Sequence, residues 1–109
     1  MDQRQIEELL ITEGKALSQL MRDYEQTMQA MGVAEINYRR EEAQAMLKLA
    51  GEKMTADLRK AQVTLDTLDT FEAQKMCQIA HSVVKEKIGC TKSRLDVLRT
   101  LSASNRQVV

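Results

Sequence analysis

Apolar and aromatic residues recur every seven positions through the first half of this chain. The series consists of Leu10, Leu17, Tyr24, Met31, Tyr38 and Ala45. Ile6, Leu20 and Ala34 fall between them, which gives the alternating three- and four-residue spacing of a helix packed lengthwise on another helix. The spacing predicts one long helix over about residues 2–50.

Composition supports an all-α fold. The 109 residues contain no proline and only four glycines, although turn-rich β folds normally use both. Aromatic residues make up 3% of the chain, which favours thin aliphatic seams between helices over a wide core. The length allows one domain, which we place at residues 1–103.

The clearest signals for the end of one helix and the start of another lie near the midpoint of the sequence. Gly51 follows the first helical series, and glycine ends helices well because it adopts positive φ without steric strain. Thr55 is a suitable N-cap for a second helix, and Asp57 favours the positive end of its dipole. We therefore predict a turn at residues 51–55 and a second helix over about residues 56–103.

The second predicted helix carries an apolar stripe with similar spacing. Its members are Leu58, Ala61, Leu65, Leu68, Met76, Ala80, Val84, Ile88, Thr91, Leu95, Leu98 and Ser102. The sequence leaves open whether the helices are interrupted at three places, which are Gly32, Asp69–Thr70 and Gly89. Residues 104–109 lose the periodicity and are expected to form a frayed tail.

Together these features predict a long antiparallel two-helix hairpin, similar to a coiled coil. A turn at residues 51–54 places residue i roughly opposite residue 105 minus i, so that Leu10 lies near Leu95, Tyr38 near Leu68 and Ala34 near Phe71. Residues 1–30 carry six acids and three bases, whereas residues 81–109 carry six bases and two acids, so an antiparallel arrangement also pairs opposite charges. A compact three- or four-helix bundle is the alternative.

A single seam leaves many apolar residues without a partner. These are Leu9, Ile11, Met21, Met28, Ile36, Leu47, Leu49, Val63, Cys77, Val83 and Val97. An exposed stripe of this extent is unusual for a monomer, so we expect a homo-oligomeric helical bundle or a protein partner. The residues expected to form the assembly seam are Leu10, Leu17, Leu20, Val84, Ile88, Leu95 and Leu98.

Catalytic and cofactor sites are not expected. Cys77 and His81 lie four residues apart, but structural zinc needs four ligands and only Cys90 remains as a further soft donor. The single histidine serves no recognisable nucleophile, and no glycine-rich phosphate loop is present. No segment has the length and hydrophobicity of a membrane span or the pattern of a signal peptide, so we expect a cytoplasmic protein.

Five basic residues are candidates for contact with a partner or with phosphates: Arg39, Arg40, Lys85, Lys87 and Arg94. The formal net charge is zero and no aromatic platform for base stacking is evident, which disfavours nucleic acid as the ligand. An accessory nucleic-acid-binding protein therefore remains the alternative to a protein-interaction module.

A set of short motifs lies within about residues 35–104. They are Tyr38-Arg39, Glu42-Ala43, Gly51-x-x-x-Thr55, Arg59-Lys60-Ala61 and Leu95-x-x-Leu98-x-x-Leu101-Ser102. This pattern resembles small helical proteins encoded in the early regions of bacteriophages and prophages. The resemblance implies a non-enzymatic phage accessory protein in the host cytoplasm, involved in recombination, replication or interference with host functions. An anti-defence inhibitor is a further alternative.

Overall fold

The computed structural model describes residues 1–108, and within that range all regular secondary structure is helical. Helix α1 spans Gln3–Leu49, α2 spans Ala56–Asp66 and α3 spans Leu68–Val108. The predicted all-α helical hairpin is confirmed, with α1 as its first arm and α2 followed by α3 as its second arm. The chain divides into two compact units. Unit 1 contains Met1–Gln26 and the chain from Ser82 onward, and unit 2 contains Thr27–His81.

Helix α1 begins at a reciprocal cap and continues without a break. The Gln5 N–H donates to Asp2 Oδ1 at 2.8 Å, and the Asp2 N–H donates to Gln5 Oε1 at 3.0 Å. These bonds satisfy backbone donors that the first turn of a helix leaves without partners. The helix passes through Gly32, so the interruption that the sequence left open there does not occur.

The chain reverses direction between Leu49 and Ala56. Gly51 has a φ of 90°, a conformation that glycine adopts without strain, and the Glu52 N–H donates to the Leu49 carbonyl at 3.1 Å. Thr55 caps α2 by accepting the Leu58 N–H at 3.2 Å. The reversal therefore lies where Gly51 and Thr55 led us to place it.

The second arm is two helices where the sequence predicted one. Thr67 separates them, with φ −110° and ψ 11°, and its hydroxyl donates to the Val63 carbonyl at 2.7 Å. Thr64 and Thr70 make similar bonds to backbone carbonyls, and such bonds compete with regular helix geometry. The interruption thus precedes Asp69–Thr70 by two residues, and α3 has none at Gly89.

Helix α3 extends through Val108, so the tail expected at residues 104–109 is helical over 104–108, and residue 109 lies outside the described residues. The periodicity of the preceding seam continues here through polar residues, since Ser102 is buried and Asn105 is half-buried. Arg106 also lies 3.9 Å from the Glu7 carboxylate on α1. These contacts explain why α3 continues beyond the end of its apolar stripe.

In unit 1, α1 and α3 pack antiparallel along one seam. Ile6, Leu95 and Leu98 are buried, and the Gln3 amide donates to the Ser102 hydroxyl at 2.9 Å. The pair of Gln3 and Ser102 matches the predicted register, since the two numbers sum to 105. Arg94 pairs with Glu13 at 3.1 Å, which is an ion pair of the expected sign between the acidic and basic ends of the chain.

In unit 2, the seam of the second arm is largely polar. Its inward positions are Val63, Thr67, Thr70, Gln74, Cys77 and His81. His81 is buried, with Nδ1 2.9 Å from the Thr27 hydroxyl, and the only cluster of buried apolar side chains in the described part of this unit joins Ala45, Leu49 and Val63. Half-buried Met54 packs against that cluster.

The apolar stripe predicted for the second arm is therefore wrong in unit 2 and right in unit 1. Leu58, Ala61, Leu65, Leu68, Met76 and Ala80 are exposed, whereas the residues from Val84 to Ser102 in that stripe are half-buried or buried. The register also differs in unit 2, because the Tyr38 ring faces Phe71 with centroids 5.8 Å apart. The sequence had paired Tyr38 with Leu68 and Ala34 with Phe71.

The seam in unit 1 predicts a stability difference between two leucines of the same helix. Leu95 is 4% exposed and Leu101 is 42% exposed. We expect Leu95→Ala to lower the free energy of unfolding by about 2–4 kcal/mol, because truncation leaves a cavity in the seam. Leu101→Ala should lower it by about 1 kcal/mol or less. Urea unfolding followed by circular dichroism measures both, and equal losses would contradict the burial pattern.

Candidate interaction surfaces

Among the described residues, more large apolar side chains are exposed than buried. Seven hydrophobic residues are buried, two of them alanines, whereas eighteen large hydrophobic residues are exposed. Leu49 and Val63, expected from the sequence to lack a partner, belong to the buried set. Ile11, Leu47 and most of the others expected to lack a partner are exposed. Isolated exposed apolar residues are common, so their alignment decides whether they form a surface.

In unit 2, α1 carries an exposed stripe on the side away from its seam. We call it the α1 stripe, and it consists of Val33, Ile36, Arg40, Ala43 and Leu47. Its spacing alternates three and four residues, so these side chains lie along one face of the helix. Val33 is 59% exposed, Ile36 is 58% exposed and Leu47 is 74% exposed. The face is apolar apart from the arginine at its centre.

The second arm of unit 2 has a matching exposed stripe, which faces away from the same seam except at Leu68, whose side chain also lines a cavity beside Tyr38 and Phe71. We call it the second-arm stripe, and it consists of Leu58, Ala61, Leu65, Leu68, Glu72, Met76 and Ile79. The backbone hydrogen bonds continue across Thr67, whose N–H donates to Val63 and whose carbonyl accepts from Phe71. The stripe is exposed along its whole length.

The seven residues predicted for the assembly seam all lie in unit 1. Leu95 and Leu98 are buried, and Leu10, Leu17, Leu20, Val84 and Ile88 are half-buried. Their positions follow the seam that joins α1 to α3 within one molecule. None of the seven belongs to the two exposed stripes of unit 2.

The five basic candidates are distributed over both units and differ in their contacts. Arg39 pairs with Glu35 at 3.2 Å, and Arg94 pairs with Glu13 at 3.1 Å. Arg40, Lys85 and Lys87 are exposed and form no ion pair within the described residues. Of the five, Arg40 is the one that lies at the centre of an apolar stripe.

A small cavity of about 220 Å³ lies in unit 2 beside the aromatic pair of Tyr38 and Phe71. The Tyr38 hydroxyl donates to Glu42 Oε2 at 2.9 Å. That hydrogen bond, with partial burial and the nearby carboxylate charge, raises the pKa of Tyr38. The Lys75 ammonium lies 5.4 Å from the centre of the Phe71 ring. Of these contacts, the pairing of the Tyr38 and Phe71 rings joins α1 to the second arm, whereas the other two lie within a single helix.

Neither a metal-binding cluster nor a membrane-spanning helix is found in the described part of the chain. No three histidine, cysteine, aspartate or glutamate side chains among the described residues are grouped so that they could hold a metal ion. None of the helices there has both the length and the hydrophobicity that crossing a membrane requires.

Glu72 interrupts the apolar stripe that the sequence predicts for the second arm. The structure shows that this stripe is exposed and that Glu72 lies on it between Leu68 and Met76. Arg40 occupies the equivalent place on α1. The helical spacing of Val33, Ile36 and Leu47 around Arg40 is the sequence signal from which the α1 stripe could have been predicted.

No protein-family model matches this chain, and neither the curated proteins nor the solved structures contain a significant match to it.

The Tyr38–Glu42 hydrogen bond predicts a tyrosine that ionises above the ordinary value of about 10. The variant Tyr24→Phe leaves Tyr38 as the single tyrosine, so its titration can be followed by absorbance. Adding Glu42→Gln should bring the pKa of Tyr38 back towards the ordinary value. Because the folded-state pKa is raised, this contact stabilises the fold below a pH of about 10 and is lost as the pH rises through the folded pKa. An identical pKa of Tyr38 before and after the Glu42→Gln change would contradict the hydrogen bond.

Proposed function

We propose that this chain is a non-enzymatic helical module for protein–protein interaction and oligomerisation. The observation that carries the proposal is the pair of exposed apolar stripes on the outer sides of unit 2. A stripe at helical spacing is the form in which one helix presents itself to another.

The physical argument concerns how much apolar surface two helices can bury. Each arm in unit 2 packs one face on the other, and the inward face of the second arm holds two threonines, a glutamine and a histidine. The larger aliphatic side chains remain in water. Burying one exposed leucine or isoleucine completely is worth roughly 1.5–3 kcal/mol, so a helix docked on either stripe would gain from several such side chains at once.

The proposed activity is assembly, with itself and with a phage or host protein. The resemblance of residues 35–104 to early-region proteins of bacteriophages supports a phage accessory role in the host cytoplasm. Nucleic-acid binding is less well supported, because Arg39 and Arg94 already pair with carboxylates and the formal net charge is zero.

Self-association should depend on the most exposed residue of the α1 stripe. Leu47 is 74% exposed, so Leu47→Gln should leave the folded monomer nearly unchanged while weakening association about tenfold or more. Sedimentation velocity over a range of concentrations measures the effect, with helicity checked by circular dichroism.

Ile11→Gln provides the matched control, because Ile11 is 61% exposed on the same helix but lies in unit 1. It should associate like the parent protein. A parent protein that sediments as a monomer at every concentration would remove the support for self-association.

A further inference from the structure

We propose that the α1 stripe of one molecule docks on the second-arm stripe of a second copy, with Arg40 facing Glu72 of that copy. This inference rests on the proposed function and specifies its partner and its geometry. It follows from the spacing, the charges and the placement of the two stripes in unit 2.

Both stripes place an apolar residue seven positions before and seven positions after a charged residue. In the α1 stripe, Val33 and Leu47 lie seven residues before and after Arg40. In the second-arm stripe, Leu65 and Ile79 lie seven residues before and after Glu72. Val33 and Leu47 are therefore separated by about 21 Å along α1. On the second arm, Glu72 and Ile79 both lie in α3, whereas Leu65 lies in α2 on the other side of Thr67, across which the backbone hydrogen bonds continue. When the charges meet, the apolar residues on both sides meet as well.

The central charges both lack a partner among the described residues. Arg40 and Glu72 form no ion pair or side-chain hydrogen bond there, although their neighbours do. Arg39 pairs with Glu35, Glu42 accepts from Tyr38, and Glu41 accepts from Thr70. An unpaired charge is tolerated in water, but docking an apolar stripe removes that water, so each charge then needs its opposite.

These charges also select the mode of pairing. Two α1 stripes packed in register would bring Arg40 against Arg40, and two second-arm stripes would bring Glu72 against Glu72. Like charges at the centre of a desolvated contact are unfavourable, whereas the mixed contact forms an ion pair. The pattern therefore favours a contact between different stripes.

The placement of the stripes sets the type of assembly. Each lies on the side of its own arm that faces away from the shared seam, so unit 2 presents them on opposite sides. A contact between two different surfaces is heterologous, and its repetition gives a ring or an open chain of molecules. Because the contact uses one helix face from each molecule, we expect the assembly to depend on protein concentration.

A charge-exchange experiment on the full chain tests this contact. Sedimentation velocity should show association about tenfold weaker, or more, for Arg40→Glu alone and for Glu72→Arg alone, because each creates a like-charge contact. Mixing these two variants in equal amounts should restore association, since each then supplies the charge that the other needs. The double variant Arg40→Glu/Glu72→Arg should also associate.

Two controls reverse a charge outside the stripes. Lys53→Glu reverses an exposed base in unit 2, and Glu86→Arg reverses an exposed acid in unit 1. Both should associate like the parent protein, and circular dichroism should give the same helicity for every variant.

The outcomes separate this contact from the proposed function. If the parent protein is monomeric at all concentrations, self-association and this contact both fail. If it associates but Arg40→Glu and Glu72→Arg have no effect, oligomerisation stands and the contact is overturned. Weakened variants that do not recover on mixing would likewise overturn the pairing of Arg40 with Glu72.

Discussion

The packing of α1 against the second arm is the interaction on which the rest of the structure depends. In each unit the seam positions follow each other at intervals of three and four residues, from Gln3 to Leu49 in α1 and from Val63 to Asn105 in the second arm. Because a rigid helix fixes which side chains share a face, the inward face of one turn determines that of the next. The outer faces are fixed by the same spacing.

That constraint explains why unit 2 carries polar residues inside and apolar residues outside. In unit 2, the phase of α3 that buries His81 and half-buries Gln74 leaves Met76 and Ile79 exposed. Turning Met76 and Ile79 inward would require rotating the helix within its length. The polar side chains of this seam have partners within the unit, such as the hydrogen bond between Thr27 and His81, and the apolar outer faces remain exposed.

The fold class and the reversal near Gly51 could be predicted from the sequence, because both depend on local signals such as missing prolines, a positive-φ glycine and a threonine cap. The α1 seam could be predicted because its heptads are largely apolar. The second arm of unit 2 could not be predicted by following hydrophobicity, because the inward phase there is held by polar residues from Thr67 to His81. Likewise, the exposed position of Glu72 becomes evident only when that phase is known.

Crosslinking across the seam tests the central claim most directly. In a chain with Cys77 and Cys90 replaced by serine, cysteines at positions 3 and 102 should react with a short bismaleimide within one molecule, because the side chains of Gln3 and Ser102 are joined by a 2.9 Å hydrogen bond. The predicted product is an internally crosslinked monomer on a denaturing gel, formed equally well at low protein concentration. Crosslinks found only between molecules, or none at all, would contradict an intramolecular antiparallel seam.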